Sequence, residues 1–430
     1  MKANLDFLER MVAAPDDDAI RLAYALWLDR RGDPRGAFIR AQCRIADPAT
    51  DVTQLGDCIK LQSELLAAHE VEWTAELCEL LGCTDRGNYH PARFVRGFIE
   101  SVIVPADVLA QAAERLFAVA PLLRSIDLNR PLEGEFGPEL GHALAQSREL
   151  SRITTLRLFS LDLDDATFTA LARSPHLGGL TKLDLGANQL GPESVKALLA
   201  TPFAHQLVEL QLWRNRMGDA GARQIAAAAS PNVRELCLDH NQIGSPGARA
   251  LASAHQLKGV SSLRMSHNPL GDEGVCALLS SPHLLALRKL DVYGVGLSPA
   301  GVRRLVAIPG LARIQELVIG DNGFGDDGLA ALAASPHTRG LVSLDLEGSE
   351  IGDAGLQALA KARNLVSLRE LGLRYNLITD VGAKALAQTT CLSSELELDL
   401  AYNEIDDGGD LYKALHRRFS DVNFIGQGRR

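Results

Sequence analysis

One pattern recurs down most of the chain: apolar residues at the first, fourth and sixth positions and, most often, Asn at the ninth, LxxLxLxxN. The ninth position falls on Leu161, Asn188, Asn215, Asn241, Asn268, Val295, Asn322, Ser349, Asn376 and Asn403, so ten copies follow one another at steps of 27 residues with a single step of 26. A fixed period of this size marks a solenoid, in which each unit is too small to bury its own apolar side and stacks on its neighbours to do so. The chain's 430 residues exceed one ordinary globular core. Stacked repeats resolve that excess.

Within a copy, an alternating stretch such as Leu183-Asp184-Leu185 reads as a short strand, one rung of a parallel sheet. Apolar residues at positions one, four, six and eleven face inward. Asn188, Asn215, Asn241, Asn268, Asn322, Asn376 and Asn403 are expected to form a structural ladder, their amides satisfying N–H and C=O groups left open where the backbone bends. Six copies place Gly directly after the last apolar position, where it allows a positive φ. Asp219, Pro246, Asp272, Pro299, Asp326, Asp353 and Asp380 then favour the start of the unit's own helix by capping, dipole or fixed φ. Ser174-Pro175, Thr201-Pro202, Ser230-Pro231, Ser281-Pro282 and Ser335-Pro336 mark helix ends. Strands need about 4.8 Å of spacing and helices about 10 Å, so the stack should curve with its strands inside and its variable strand positions on a concave, solvent-facing surface.

Around the array the organisation is expected to be a helical domain over 1–90, capping and degenerate repeats over 91–152, regular repeats over 153–405 and a C-terminal cap over 406–430. Helices are predicted at 5–12, 19–30, 35–45 and 55–69, with Leu22, Leu26 and Trp27 on one face of the second and Trp73 just beyond the fourth. A first strand at 98–104 precedes a helix at 106–119, and Leu123 to Leu128 belongs to a degenerate copy. A last helix over 410–419 and a short apolar cap over 422–425 close the chain.

A net charge of −10 and a pI near 5.6 argue against a nucleic-acid groove, which needs clustered Lys and Arg. Asp6, Glu9 and Arg10 interrupt what would be the apolar core of a signal peptide, and no uncharged apolar run reaches bilayer length. A cytoplasmic protein with no membrane partner is the expectation. The seven cysteines are odd in number and lack CxxC spacing, which points to neither a disulfide framework nor a zinc site. His69-Glu70 does not complete HExxH because residue 73 is Trp, and no GxxxxGK, GxSxG or GxGxxG stands in the required context. No cofactor, metal or small-molecule substrate is therefore expected, nor catalysis.

Over 94–425 the ten in-register copies resemble the leucine-rich repeat superfamily in its ribonuclease-inhibitor-like β/α subclass. The resemblance implies an α/β solenoid, a right-handed β/α horseshoe, here with a helical N-terminal domain. The segment 21–42 (Arg21, Trp27, Phe38 and Arg40 among its residues), together with His69 and Trp73 and the run Arg96-Gly97-Phe98-Ile99-Glu100, resembles the bacterial repeat-companion domain of planctomycete proteins. That resemblance implies a bacterial origin and an interaction surface, and it brings no catalytic residue. A protein partner, unidentified, is what the architecture implies. An inhibitor or activator of an enzyme or GTPase, in the manner of ribonuclease inhibitor or the Ran GTPase-activating protein, is the second class.

Two clusters on the variable strand positions are the candidate partner-binding site. One is Trp213, Arg214, Asp239, His240, Arg264, His267 and Tyr293; the other is Arg374, Tyr375 and Tyr402. Exposed aromatics and Arg are the usual material of binding hot spots. The plainer alternative is that they pack on one another, with Arg264 paired to Asp239 or Asp291. His240 and His267 share a column with Asp239 beside them, yet an open surface lacks the converging ligands and second shell that a catalytic metal needs. Asp291, Asp345 and Asp399, with Glu316, Asp321, Glu347 and Glu397, make the C-terminal half of the face acidic, suited to a basic partner surface or simply solvated. The stretch 27–40 is expected to bury Trp27, Phe38 and Ile39 in a small helical core with its arginines pointing outward.

Overall fold

A computed structural model describes residues 2–83, 91–406 and 409–424. They divide into two compact units, Met1–Asp184 and Leu185–Arg430. Ile425, at the end of the expected apolar cap, lies outside the described residues. In each unit strands alternate with helices and pair in chain order, the α/β solenoid that the repeats predict.

The first unit opens with helices Lys2–Ala13, Asp18–Asp29, Arg35–Ala46, Val52–Trp73 and Ala75–Leu81. Trp73 thus ends the fourth helix instead of standing beyond it. The strands Ala92–Val95 and Phe98–Pro105 form an antiparallel hairpin, after which Ser125–Asn129, Thr155–Arg157 and Lys182–Asp184 add in parallel. The short fifth helix and the first hairpin strand carry too little periodicity to be expected from sequence.

The second helix corrects one expectation. Asp17 caps it, accepting the Ala19 N–H at 2.9 Å, but the buried face is Arg21, Tyr24, Ala25 and Leu28, while Leu22 and Leu26 are exposed. Hydropathy places Arg outside. Here Arg21 is fully buried because its guanidinium finds partners there: Glu100 Oε1 at 2.6 Å, the Pro15 carbonyl at 2.7 Å and the Arg96 carbonyl at 3.3 Å. A buried charge so paired is tolerated where an unpaired one is not. Arg96 in turn reaches Asp18 and Asp16, both at 3.2 Å, and Arg124 reaches Asp16 at 2.7 Å. Between the hairpin strands, Gly97 has φ +91°, and its N–H donates to Gln42 Oε1 at 2.6 Å. A Cβ at Gly97 would meet Ile39 Cγ1 at 2.1 Å, so the turn is pressed onto the third helix. Phe38 and Ile39 are buried as expected, Trp27 only partly, beside the core of Met11, Tyr24, Leu28 and Cys43.

The second unit contains the parallel strands Glu209–Gln211, Glu235–Cys237, Ser262–Arg264, Lys289–Asp291, Glu316–Val318, Ser343–Asp345, Glu370–Gly372, Glu397–Asp399 and Asp421–Asn423. Their register aligns Leu236 with Leu263 and Leu263 with Leu290, so the fourth position forms a buried leucine column.

Three polar ladders tie these repeats together. At Asn268 the amide nitrogen donates to the Leu238 carbonyl of the previous rung (2.8 Å) and the Met265 carbonyl of its own (2.9 Å). Its oxygen accepts the Asn241 and Ile243 N–H groups, each at 2.9 Å. Asn215, Asn241, Asn322, Asn376 and Asn403 donate across rungs in the same way, and Asn188 donates to the Leu185 and Gly186 carbonyls of its own rung.

The helix-opening carboxylates form the second ladder, and here the expectation of capping in place is corrected. Asp219 accepts from Gly244 N (2.8 Å) and Gly247 N (3.0 Å), and Asp353 from Thr379 N (2.9 Å) and Gly382 N (2.8 Å), all one repeat later. Asp272 and Asp326 likewise serve Ser298 and Gly352. Each carboxylate satisfies orphan N–H groups at the start of the next helix and meets the positive end of its dipole. Only glycine leaves room, since a Cβ at Gly382 would sit 2.6 Å from Asp353 Oδ1.

The Ser-Pro hydroxyls make the third ladder. Ser230 donates to the His205 carbonyl at 2.8 Å and Ser335 to that of Val306 at 2.7 Å, while Ser281 bonds Ala252; Thr389, with no Pro after it, bonds Ala360 in the same way. Ending a helix is therefore only half their role. Among the described residues no helix is long and apolar enough to cross a membrane.

Candidate functional site

Directly before the Asn ladder runs a column with unusual backbone geometry. Ser160, Ala187, Arg214, His240, His267, Gly294, Asp321, Gly348, Tyr375 and Tyr402 all have positive φ, between 50° and 62°. From Ala187 to Tyr375 the conformation lets the N–H reach the next rung: Arg214 donates to the Asp239 carbonyl at 2.7 Å, His240 to Ser266 at 2.8 Å and His267 to Tyr293 at 2.8 Å. For a residue with a side chain the left-handed region costs roughly 1–2 kcal/mol, and Gly is the default occupant. Only Gly294 and Gly348 take that default. Five of the candidate site residues, Arg214, His240, His267, Tyr375 and Tyr402, stand in this column.

All seven residues of the first cluster line one depression of about 590 Å³, together with Gln211, Ser266, Asp291 and Val318. Trp213 lies across the preceding rung: a Cβ at Gly186 would come within 2.1 Å of its indole nitrogen. His240 and His267 stack with centroids 4.2 Å apart and planes at 20°, and Tyr293 meets His267 edge-on at 5.3 Å. Arg264 bridges two carboxylates, Asp239 Oδ2 at 2.7 Å and Asp291 Oδ2 at 3.6 Å.

Asp239 is only 4% exposed. It also accepts the Ser266 N–H at 2.8 Å and the Cys237 thiol at 3.3 Å, and Asp291 accepts the Ser266 hydroxyl and the Tyr293 N–H. Burial raises the Asp239 carboxyl above its usual value, against the pull of Arg264. Burial, with Asp239 beside it, pushes the Cys237 thiol up to about 12, which leaves it a poor nucleophile. The Tyr293 hydroxyl is also pushed to about 12, by burial and then by Glu347, Asp321 and Asp345. His240 is lowered, by burial first and then by His267 and Arg214.

The second cluster closes on itself. Tyr375 and Tyr402 stack at 4.3 Å with planes 5° apart, Arg374 lies 5.6 and 5.5 Å from their centroids, and its Nε is 3.7 Å from Asp399. It does not line the depression. Gln211, Ser266 and Val318 were not singled out in the sequence, although their columns at positions five and seven could have been read alongside the aromatics. Among the described residues, no group of three or more His, Cys, Asp or Glu could hold a metal ion.

No curated protein matches the sequence. Among solved structures, the chain is similar to one in the crystal structure of the Rad7 and Elc1 complex in yeast, at 13% identity and TM-score 0.46 over 72% of this chain and 71% of that one. It is also similar to a chain of the TLR13–ssRNA13 complex, at 18% identity and TM-score 0.43 over 76% of this chain but only 43% of that one. The family described as Leucine Rich repeat matches residues 180–199, 229–252, 260–279, 314–333, 340–360, 364–387 and 396–409. These seven segments of the chain are leucine-rich repeats.

Proposed function

We propose that the protein is a non-enzymatic scaffold that recognises a protein partner on the strand face of its repeats, centred on Trp213, Arg214, His240 and Tyr293. The observation that carries this reading is the gathering of seven aromatic and charged side chains from successive rungs into one depression. Large, rigid side chains with polar tips, half-exposed around a concavity, are the composition of interface hot spots. The left-handed backbone under Arg214, His240 and His267 supports it, because local strain carried by non-glycine residues gathers at functional positions. Arg374, Tyr375 and Tyr402 form a second, smaller contact on the same face. We assign the repeats to the ribonuclease-inhibitor-like subclass on their strand–helix alternation, and residues 1–90 to a companion domain.

The test is capture of a partner from the source cells by the full chain, with variants compared in one experiment. Trp213→Ala and Tyr293→Ala should each weaken the captured complex by about tenfold or more, as truncated hot spots do. Arg249→Ala, on the helix Ser245–Ala252, should leave it intact. Equal capture by all four folded chains would end the assignment.

A further inference from the structure

Hydrogen-bond bookkeeping in the depression is lopsided. Its two carboxylates are consumed internally: Asp239 by Arg264, Ser266 N–H and Cys237, and Asp291 by Arg264, the Ser266 hydroxyl and Tyr293 N–H. Three of its remaining side-chain donors are not. Among the described residues the side chains of Arg214, His240 and His267 donate no hydrogen bond and form no ion pair. They stand on three successive rungs, about 4.8 Å apart, with Trp213 and Tyr293 flanking them. An exposed guanidinium with no partner of its own, beside two carboxylates already spent, is complementary to an anionic group, and it binds carboxylate best, through paired N–H donors.

The flank decides how extended that anion can be. Along the same column the residues after His267 are Gly294 and Asp321, and Glu347 and Asp345 follow on the next rung. None of the three carboxylates is ion-paired among the described residues. A polyanion running along the rungs would meet them, as nucleic acid would, and like charges brought together oppose binding.

Resting on the proposed strand-face reading, we infer that the partner presents a short peptide segment whose single acidic side chain docks on Arg214 between Trp213 and His240, with an aromatic or aliphatic neighbour against Tyr293. Arg214 is the anchor. His240 and His267 supply the adjoining donors.

A random peptide library panned against the full chain tests this without knowledge of the partner. Enriched peptides should share one Asp or Glu beside an apolar residue. Their affinity should fall about tenfold in Arg214→Ala, with partial retention in Arg214→Lys, which keeps the charge and loses the fork. Replacing the shared acid by its amide should produce a similar loss, and the loss should not add to that of Arg214→Ala. Neutral or basic consensus peptides that still depend on Trp213 would overturn the acidic anchor and leave the strand-face reading standing. Peptides indifferent to Arg214, Trp213 and Tyr293 alike would overturn both. Displacement of the selected peptides by random single-stranded RNA at lower concentration than by free peptide would also overturn the inference. Arg214 is exposed and unpartnered, so its variants should fold, and unchanged circular dichroism confirms that they do.

Discussion

The N-terminal helices and the repeat array are each held by buried polar groups, but of opposite kinds. In the first unit a single charged constellation joins Arg21 and Glu100 at 2.6 Å, with Arg96, Asp16, Asp18 and Arg124 around it. In the second, neutral amides repeat one arrangement rung after rung. A buried ion pair depends on both members, because removing one strands a charge that burial has stripped of water. An amide ladder spreads its risk. Losing one Asn leaves a few backbone groups unsatisfied and the neighbouring rungs in place.

The sharpest way to break that contrast is to remove a member of each. Arg21→Met should destabilise by about 3–5 kcal/mol, since buried Glu100 loses its 2.6 Å partner and keeps only the longer contact to Arg96 at 3.9 Å. Asn268→Ala should lose about 2–3 kcal/mol, from two rungs' worth of unsatisfied N–H and C=O groups. Urea titrations followed by circular dichroism compare the two, and an Asn268→Ala loss equal to or above that of Arg21→Met would erase the distinction. Within the array, Gly382→Ala should lose about 1–3 kcal/mol by overpacking against Asp353. Combining it with Asp353→Ala should recover part of the loss, because the clash and the cap involve the same carboxylate. Simple additivity in the thermal midpoints would show that they act separately.

The smallest expected effect is a dependence on pH. The folded value of His240 lies below the ordinary 6.5. Between the two values the unfolded chain binds more protons than the folded one, so stability falls as pH falls through that window and the penalty is complete below it. His267 and Arg214 oppose the charged imidazole, while Asp239 favours it. His240→Gln should flatten the thermal midpoint between neutral and mildly acidic pH. A slope unchanged in that variant would place the titrating group elsewhere.

Most of the solenoid could be read from sequence because every repeat solves the same local problem. The ninth-position Asn, the apolar fourth and sixth positions and the strand between them recur whenever the chain bends inward, so periodicity alone reveals them. In the second helix the face that Leu22, Leu26 and Trp27 mark in the sequence is not the buried one: hydropathy alone ranks Arg21 as surface, yet Glu100 reverses the order from 79 residues away. The helix-opening carboxylates stand in the first turn of their own helices, as the dipole expectation has it, but their hydrogen bonds go to the next helix. That position is compatible with capping in place or across the stack, and only the packing of Gly247 and Gly382 against Asp219 and Asp353 decides between the two.

At the candidate site the column positions of Arg214, His240 and His267 were legible, and their left-handed backbone was not. That column keeps only two glycines, so composition gives no hint of it. What sequence determined by itself is everything repeated: the period, the strand and helix of each unit, and the side chains that every copy must turn inward. Tertiary structure alone decided which unique side chains meet, that Arg21 is inside, that Ser266 joins two aspartates, and that Arg214 keeps its donors free. Repetition leaves a statistical trace in one dimension, whereas a contact made once between distant residues exists only after the chain has folded.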